Sequence, residues 1–599
     1  MADLPFDDVV DFENADRGFV AALSPCVVRA ADGRVVWDND SYDFLKGECP
    51  DTAHPSLWRQ AQLCVKQGLY EVTEGIYQVR GLDLSNMTFV EGDTGVIVID
   101  PLISTECAAA ALKLYREQRG DRPVTGMIYT HSHGDHFGGA KGVTDGNIPI
   151  LAPVGFMEHA VSENVYAGVA MTRRAVYMYG PALPRSAEGQ ISSGLGMTTS
   201  MGTTSLIPPT IDITRTGQEE TIDGVKIVFQ LTPGTEAPAE MNFYFPQRRA
   251  LCMAENATHN QHNILTLRGA VVRDTRIWSR YLTEAIALFG DKSEVAFASH
   301  HWPTWGQENI VAFLSQQRDM YAYLHDQTLR MMNLGHTGPE IAEMIEMPPA
   351  LEQAWHTHGY YGSVSHNVKA IYQRYLGWFD GNPAHLWQHP PVEAAKRYVE
   401  CLGGAVAAIS FARGYKDKGD LRFAAELLNH VVFADPGNGE AKNLLADVYT
   451  ELGHGAENGP WRNFYLMGAL ELREGPVAAD LDMGTPDMIA ALSVEQVFDS
   501  IAIRVNGPKA WDTRLVVDWE VTDLGERYRT MLTNGAFIQE PDPKPGQADL
   551  SLKLTKLQLL GLLAGKDVGE VEHEGDMRVL GRLTAVLDTA TADFAIVTP

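Results

Sequence analysis

The sequence of 599 residues predicts a layered α/β fold in its first half, followed by a helical region and a second, smaller α/β region. Three observations support this organisation. Short β-type runs separated by turn residues begin near residue 71, a mostly helical pattern covers about 307–475, and alternating apolar residues return from about 485. Because the chain is too long for one hydrophobic core, we expect three or four domains.

The first α/β region opens with three predicted strands, a helix and a fourth strand. The strands cover 76–80, 87–90 and 95–100, and the helix covers 106–118, where Ala, Leu and Lys are frequent. The fourth strand ends at Thr130. This order is typical of a layered α/β fold, in which the first strands pair before a helix crosses over the sheet.

The loop at 130–139 carries three imidazoles and a carboxylate, from His131, His133, Asp135 and His136. Serine and glycine between them allow tight turns, so that the side chains can converge. Neutral imidazole and carboxylate are ligands of zinc-type metals. Because one ion cannot easily take all four groups, we expect the first two histidines on one metal and the Asp-His pair on a second. A two-metal site holds both the nucleophile and the leaving oxygen of a hydrolysis.

Three later strand ends carry further candidate ligands. Glu236 follows a Pro-Gly turn, Glu255 follows the next predicted strand, and His300 and His301 follow a third. Loops at strand ends are where sites assemble in layered α/β sheets. Because adjacent histidines point in different directions, we expect His300 rather than His301 to face the metals.

The long loop at 194–205, rich in Gly, Thr and Met, is predicted to be functional, with a flexible surface loop as the alternative.

In the helical region, the spacing of Gly419 and Gly453 is typical of a tetratricopeptide unit. Two such units cannot form a solenoid, so we expect a small helical module that dimerises or packs on the preceding domain. The region after 485 shows no His/Cys/Asp cluster, and its apolar helix at 556–564 is either core or a lipid groove.

The charge and the ends of the sequence exclude some classes of protein. The net charge of −29 argues against a nucleic-acid partner, although a metal and a few arginines can still attract an anionic substrate. No window approaches the roughly 18 apolar residues of a membrane span, so we expect no stable membrane insertion. The acidic N-terminus has no apolar leader, which predicts a cytoplasmic protein, or a periplasmic or secreted one if a leader was removed. The six scattered cysteines are expected as free thiols or, alternatively, one bridge among the first three.

These motifs resemble the metallo-β-lactamase superfamily. Asp100 after a strand, the His-Ser-His-Gly-Asp-His loop and the later strand ends match its pattern. Most of its hydrolases have Thr-Pro-Gly-His where this chain has Thr-Pro-Gly-Thr-Glu236, and Asp or Cys where it has Glu255. The two glutamates, the string at 255–269 and the His-His-Trp-Pro segment at 300–303 resemble its alkylsulfatase branch.

The resemblance implies a fold and a division into domains. It implies a metallo-β-lactamase αββα sandwich, an α-helical dimerisation domain and a C-terminal α/β domain similar to sterol carrier protein 2. We therefore expect a homodimer. The expected domains are an N-terminal extension packed on the catalytic domain at 1–70, the catalytic domain at 71–325, the dimerisation domain at 326–475 and the carrier-like domain at 476–599.

The resemblance also implies roles for individual residues around two zinc ions per chain. One zinc would be held by His131, His133 and Glu236, and the other by Asp135, His136 and His300, with Glu255 as the bridge. The sulfate would be bound by Asn263, Arg268 and Arg273, which suits the donor geometry of amide and guanidinium groups. The alkyl-chain entry would be lined by Tyr179 and the loop at 194–205. The candidate catalytic residues are Asp135, Arg268 and His301, with His259 and His262 as alternative proton donors.

The implied function is hydrolysis of an alkyl sulfate ester to an alcohol and inorganic sulfate. The zinc ions would lower the pKa of a water so that a metal-bound hydroxide attacks the ester. Attack at sulfur and attack at carbon both stay open. The alternatives are another hydrolase of the superfamily, such as a thioesterase or lactamase, and a non-catalytic lipid-binding protein.

Overall fold

The structure is a computed structural model that describes residues 4–477 and 485–599. The chain forms two compact units. The first comprises Met1–His159, Met171–Leu481 and Asp593–Pro599, and the second comprises Ala160–Ala170 and Asp482–Ala592. The predicted boundary at 475/476 is followed by residues 478–484, which lie outside the described residues. Within the described ranges, no helix combines the length and the apolar character that crossing a membrane requires.

Two mixed sheets form the centre of the first unit. The larger has eight strands, in the spatial order Phe19–Ala21, Gly68–Thr73, Ile76–Arg80, Met87–Glu91, Val96–Ile99, Val124–Ile128, Ile150–Pro153 and Ile211–Ile213. The smaller has six strands, in the order Glu219–Ile222, Val225–Leu231, Met241–Phe245, Ala250–Cys252, Val295–Phe297 and Thr304–Trp305. The last four strands of the larger sheet run parallel, which brings their carboxyl ends to one edge.

The two sheets pack face to face around one apolar core. Fully buried side chains from both share it, including Ile97 of the larger sheet and Phe229 of the smaller. Helix Thr105–Arg119 packs on the outer face of the larger sheet, and helix Thr275–Ala285 on that of the smaller. This order of helix, sheet, sheet and helix confirms the predicted sandwich. Two further helices, Phe156–Tyr166 and Gly168–Tyr179, follow strand Ile150–Pro153.

The N-terminal region packs against loops that follow the sandwich strands. Beyond its strand in the larger sheet, its elements are the helices Val10–Asp16 and Pro55–Cys64, the 3₁₀ helix Asp40–Lys46, and the strand pair Val27–Arg29 and Val35–Asp38. Arg59 donates to Asp11 at 3.0 Å. The amide of Gln60 donates to the carbonyl oxygen of His259 at 3.2 Å and lies 3.1 Å from the ring of His301. This region therefore supports loops close to the predicted site.

The region after the sandwich is helical, as predicted. Its helices are Gln307–Met332, Gly338–Met344, Pro349–Glu352, Val364–Leu376, Pro383–Leu386, Pro391–Cys401, Ala405–Asp417, Leu421–Ala434, Gly439–His454 and Gly459–Glu474. The last four bury apolar faces against one another, with Leu428, Leu445 and Met467 fully enclosed. Helices Leu421–Ala434 and Gly439–His454 each begin with an Asp or Asn side chain that caps the first turn.

The second unit contains the predicted smaller α/β fold. Its sheet has five strands, in the order Ala536–Pro541, Glu526–Thr533, Leu515–Val521, Leu550–Leu554 and Glu572–Gly575. Its helices within 485–592 are Pro486–Ala491, Val494–Ala502, Gly507–Ala510, Lys556–Leu563 and Arg578–Thr584. Phe498 and Trp519 pack together in its core, with ring centroids 5.4 Å apart. In the predicted apolar helix Leu559 is buried whereas Leu557 is exposed.

Within the first unit, a buried ion pair contacts the C-terminal residues. The Glu471 carboxylate pairs with Arg173 and accepts from the Tyr177 hydroxyl at 2.5 Å. Its other oxygen accepts from the backbone N–H of Ile596 at 2.7 Å. Both charged side chains are almost fully enclosed, so neither can be compensated by water.

We predict that Glu471→Gln lowers the free energy of unfolding of the first unit by about 3 kcal/mol, because it leaves the Arg173 charge buried without an anion. Chemical denaturation followed by circular dichroism measures this change. The matched control is Glu343→Gln, which breaks an exposed ion pair with Arg422 and is expected to have no measurable effect. Equal effects of the two substitutions would contradict the assignment.

Candidate metal centre and active site

The His/Asp loop at 130–139 follows strand Val124–Ile128 of the larger sheet and turns tightly. Glycine is required in this turn. A Cβ atom at Gly139 would lie 2.0 Å from the carbonyl oxygen of Pro101, and one at Gly138 would lie 2.2 Å from that of Ile103. The close approach holds the loop against the segment that follows Asp100, so the histidines point into the interior.

The structure brings the seven predicted metal ligands together in two groups that share one residue. The first group is His131, His133, Glu236 and Glu255, and the second is Asp135, His136, Glu255 and His300. Within each group the candidate ligand atoms lie within 4.8 Å of one another. The shared residue is the predicted bridge, and each group could hold a metal ion.

Glu255 Oε2 stands at the centre of this arrangement. It lies 3.2 Å from Nε2 of His131, of His136 and of His300. In the first group, Glu236 Oε2 is 3.3 Å from His131 Nε2 and 2.8 Å from His133 Nδ1. Ligand atoms about 2 Å from a tetrahedral zinc ion lie about 3.3 Å from one another. Most of these separations therefore match the edges of a zinc coordination shell.

Unpartnered buried atoms give an independent test of the fit. Nε2 of His131, His136 and His300 and Oε2 of Glu236 are buried and have no hydrogen-bond partner. Buried polar atoms are normally satisfied, so orphaned atoms that converge on one point require an explanation. Metal ions that accept these lone pairs provide it, and the nitrogen and oxygen donor set suits zinc.

Polar contacts on the far side of three of the four imidazoles fix their orientation. His136 Nδ1 lies 3.0 Å from Asp100 Oδ2, and His300 Nδ1 lies 3.1 Å from the Leu84 carbonyl oxygen. The Thr130 hydroxyl donates to Asp100 at 2.7 Å and thereby accepts from His131 Nδ1 at 2.9 Å. Such contacts place the proton on Nδ1 and leave Nε2 as the metal-binding atom.

The two glutamates also use their second oxygen. Glu236 Oε1 pairs with Arg273, and Glu255 Oε1 accepts from His262 Nε2 at 2.8 Å. The guanidinium of Arg273 further donates to the backbone of Glu236 and to the Asn263 side chain. Each carboxylate is therefore held by a basic side chain while its other oxygen faces the metal site. The Arg273 contacts do not support the predicted role in sulfate binding; they orient a metal ligand instead.

Burial and neighbouring charges set the protonation of the site. Burial lowers the pKa of His131, with His136 adding to the effect, so the imidazole is neutral and can bind metal. Burial alone would raise the pKa of Glu236, but Arg273, His133 and His131 together outweigh it and lower the pKa to about 2. For Asp135 burial is likewise outweighed by His136, and its pKa is lowered. The carboxylates are therefore ionised, as metal ligands must be.

Of the predicted sulfate-binding residues, Asn263 contacts Arg273, and Arg268 lies near two tyrosines. Asn263 Nδ2 is buried without a hydrogen-bond partner, whereas its Oδ1 accepts from Arg273. The Tyr179 hydroxyl lies 3.1 Å from that of Tyr361, and the charge of Arg268 acts on both phenols. Burial raises the pKa of Tyr179 to about 12, so its hydroxyl keeps its proton and can donate. Tyr361 was not found from the sequence, because it comes from the helical region and no local motif marks it.

His301 is fully engaged with the protein. Its Nδ1 accepts from the backbone N–H of His259 at 2.9 Å, which leaves the proton on Nε2, 3.2 Å from the Gly194 carbonyl oxygen. Burial, with His259 second, places its pKa well below the usual range. A group that is neutral and hydrogen-bonded at both nitrogens is poorly suited to donate a catalytic proton, so the geometry does not support the predicted acid role.

Strand ends next to the metal ligands adopt unusual backbone conformations. Asp100, Ala254 and His301 have positive φ angles of 52°, 50° and 63°. Non-glycine residues seldom adopt such values, and the cost is accepted mainly at functional sites. Here Ala254 and His301 are sequence neighbours of the predicted ligands Glu255 and His300, and Asp100 contacts the ring of His136.

The loop at 194–205 is largely buried rather than a flexible surface loop, since most residues from Ile191 to Ser200 are enclosed.

Comparison with known proteins assigns the whole chain. Family models match in three places: the metallo-beta-lactamase superfamily at 80–300, alkyl sulfatase dimerisation at 337–475 and the alkyl sulfatase C-terminal region at 482–599. A linear primary-alkylsulfatase of Pseudomonas sp. is 48% identical over 100% of this chain and 91% of its own length. The chain belongs to the alkylsulfatase family. An alkyl/aryl-sulfatase of Saccharomyces cerevisiae is 47% identical over 100% of this chain and 94% of its own length.

A solved alkylsulfatase structure agrees with the fold throughout. The stereoselective inverting sec-alkylsulfatase from Pseudomonas sp. superposes with a TM-score of 0.97 at 44% identity, covering 100% of this chain and 96% of that one. The expected combination of metallo-β-lactamase, helical dimerisation and C-terminal α/β domains is thereby confirmed. The likeness of the last domain to sterol carrier protein 2, the domain boundaries and the roles of individual site residues stay predictions.

Proposed function

We propose that this chain hydrolyses alkyl sulfate esters to an alcohol and inorganic sulfate at a centre of two zinc ions. The observation that carries the proposal is the pair of ligand groups that share Glu255, combined with an alkylsulfatase relationship over the full chain. The first ion would be held by His131, His133 and Glu236, and the second by Asp135, His136 and His300. When bound, the zinc ions supply Lewis acidity, which lowers the pKa of water and offsets negative charge on an ester.

The chain's own residues would bind and orient the sulfate group. The unpartnered Nδ2 of Asn263 supplies a donor for a sulfate oxygen, and its Oδ1 is fixed by Arg273, so the amide cannot rotate away. Arg268 and the paired phenols of Tyr179 and Tyr361 add positive potential and donors nearby. Preorganised donors in a buried site stabilise the charge that develops on a departing oxyanion.

A cavity beside Tyr179 offers space for the alkyl chain. Its volume is about 640 Å³, within the range of small-ligand sites. Ala175, Val176, Met201 and Thr199 contribute to its wall. Because Tyr179 lines the cavity and its hydroxyl lies 3.1 Å from that of Tyr361, it connects the space for the alkyl chain with the phenols proposed to bind the sulfate.

The rival functions are less well supported. A thioesterase or lactamase of the same superfamily is disfavoured because the chain matches alkylsulfatases from end to end rather than over the sandwich alone. A non-catalytic lipid-binding protein is disfavoured because the buried ligand set is complete. Such sets are costly to keep without a metal, since they enclose several carboxylates.

We predict that the purified protein releases sulfate from octyl or dodecyl sulfate, that a chelator stops the release, and that added zinc restores it. His133→Ala removes a ligand of the first ion and is expected to lower the rate at least a thousandfold. Ion chromatography of sulfate measures both effects. Sulfate release by metal-free protein would contradict the metal mechanism. Turnover of thioesters or β-lactams without any sulfate release would favour the superfamily rival.

We predict that Asn263→Asp lowers kcat/KM for alkyl sulfates about a hundredfold, as for the loss of one oxyanion donor. The substitution keeps the oxygen that accepts from Arg273 but replaces the proposed sulfate donor with a negatively charged oxygen. Bound metal, measured on the same preparation, is expected to be unchanged. A variant with normal kcat/KM would remove Asn263 from the sulfate site.

We further propose that the protein is a homodimer formed through its helical region. Within the stretch matched by the dimerisation model, several large apolar side chains are exposed: Leu376, Trp378, Leu386, Trp387, Tyr398, Val406 and Phe411. Trp387 is 96% exposed and Val406 83%. Large apolar side chains that stay exposed in a folded chain are candidates for an interaction surface, and tryptophans dominate the binding energy of many interfaces.

We predict that Trp387→Asp weakens dimerisation about thirtyfold or more, because it replaces an apolar contact with a charge. Analytical ultracentrifugation over a concentration series measures the dissociation constant. Trp511→Asp is the matched control, since Trp511 is also exposed but lies outside the matched stretch. A wild-type chain that sediments as a monomer at micromolar concentration would overturn the proposal.

A further inference from the structure

Glu240 is a buried carboxylate that belongs to neither metal-ligand group. It is fully enclosed and lies directly before strand Met241–Phe245. Its Oε2 accepts from the backbone N–H of Glu236 at 3.0 Å and that of Ala237 at 3.2 Å. Its Oε1 accepts from the backbone N–H of Glu255 at 3.1 Å. One carboxylate thus contacts the main chain of both glutamate ligands.

The same residue is also joined to the His/Asp loop. The backbone of Glu240 forms an antiparallel bridge with His131, and the neighbouring Met241 N–H donates to the Thr130 carbonyl oxygen at 3.0 Å. Segments carrying three metal ligands, which are distant in sequence, therefore meet at one residue. Because Glu255 and Glu236 lie on separate strand ends, their relative position depends on what connects those ends.

The contacts of Glu240 are suited to fixing the distance between the segments that carry Glu236 and Glu255. Its recorded partners are three backbone N–H groups and the Thr235 hydroxyl, which donates at 2.7 Å. Backbone donors cannot adopt another rotamer, so the carboxylate defines the spacing of the two segments. Outer residues of this kind orient the direct ligands of a metal and affect its affinity.

We infer that Glu240 is a positioning residue of the metal centre, which sets the separation of Glu236 and Glu255 by accepting their backbone N–H groups. The inference rests on the proposed metal centre. Glu240 acts through the two ligands and touches neither metal nor substrate. Its removal should therefore weaken metal binding without removing any ligand.

Glu240→Gln tests this role with little change of volume. The amide oxygen can serve the three donors at the Oε2 position, but the amide nitrogen then faces the N–H of Glu255, and two donors repel each other. We expect the zinc affinity, measured by competition with a chromophoric chelator, to fall about tenfold to a hundredfold. If this variant does not fold, Thr235→Val removes one donor of the same carboxylate and is expected to lower the zinc affinity about fivefold.

Glu471→Gln is the matched control, because it also neutralises a buried glutamate but lies outside the metal centre. It is expected to lower stability and leave zinc affinity unchanged. Equal losses of affinity in both variants would assign the effect to general destabilisation and overturn the inference. Tight zinc binding by the wild type and equally tight binding by Glu240→Gln would overturn this inference alone. Failure of the wild type to bind any metal would overturn the proposed function as well.

Discussion

The site depends on one shared carboxylate oxygen. Glu255 Oε2 lies 3.2 Å from the metal-binding nitrogens of His131, His136 and His300. Without a cation this position is unfavourable, because buried nitrogen and oxygen lone pairs face one another with no proton between them. The two ions that we propose would resolve the conflict by sharing this oxygen. The fold around it can be understood as the means of holding these groups close together.

The surrounding structure restrains the ligands from outside. Three imidazoles are oriented by Asp100, the Thr130 hydroxyl and the Leu84 carbonyl oxygen. The two glutamates are held by Arg273, His262 and the Glu240 carboxylate. The proposed sulfate donor Asn263 is fixed by the same arginine that orients Glu236. Arg273 therefore connects the proposed sulfate site with the proposed metal centre.

Much of the fold could be predicted from the sequence, and so could the convergence of the seven candidate ligands, because strand ends and a dense His/Asp loop are local patterns. The direction in which individual side chains point could not be predicted. Arg273 lies close in sequence to Asn263 and Arg268, yet its guanidinium contacts Glu236, a predicted metal ligand. The imidazole of His301 could transfer a proton, but both of its nitrogens form contacts within the protein. Tyr361 and Glu240 contribute through spatial contacts between distant segments, which no local spacing encodes.

Anomalous X-ray diffraction from zinc-loaded crystals, recorded on both sides of the zinc absorption edge, tests the central claim most directly. Two zinc peaks are predicted within about 4 Å of each other, with Glu255 between them. One should contact His131, His133 and Glu236, and the other Asp135, His136 and His300. A single peak, or peaks that do not contact Glu255, would contradict the shared-carboxylate centre.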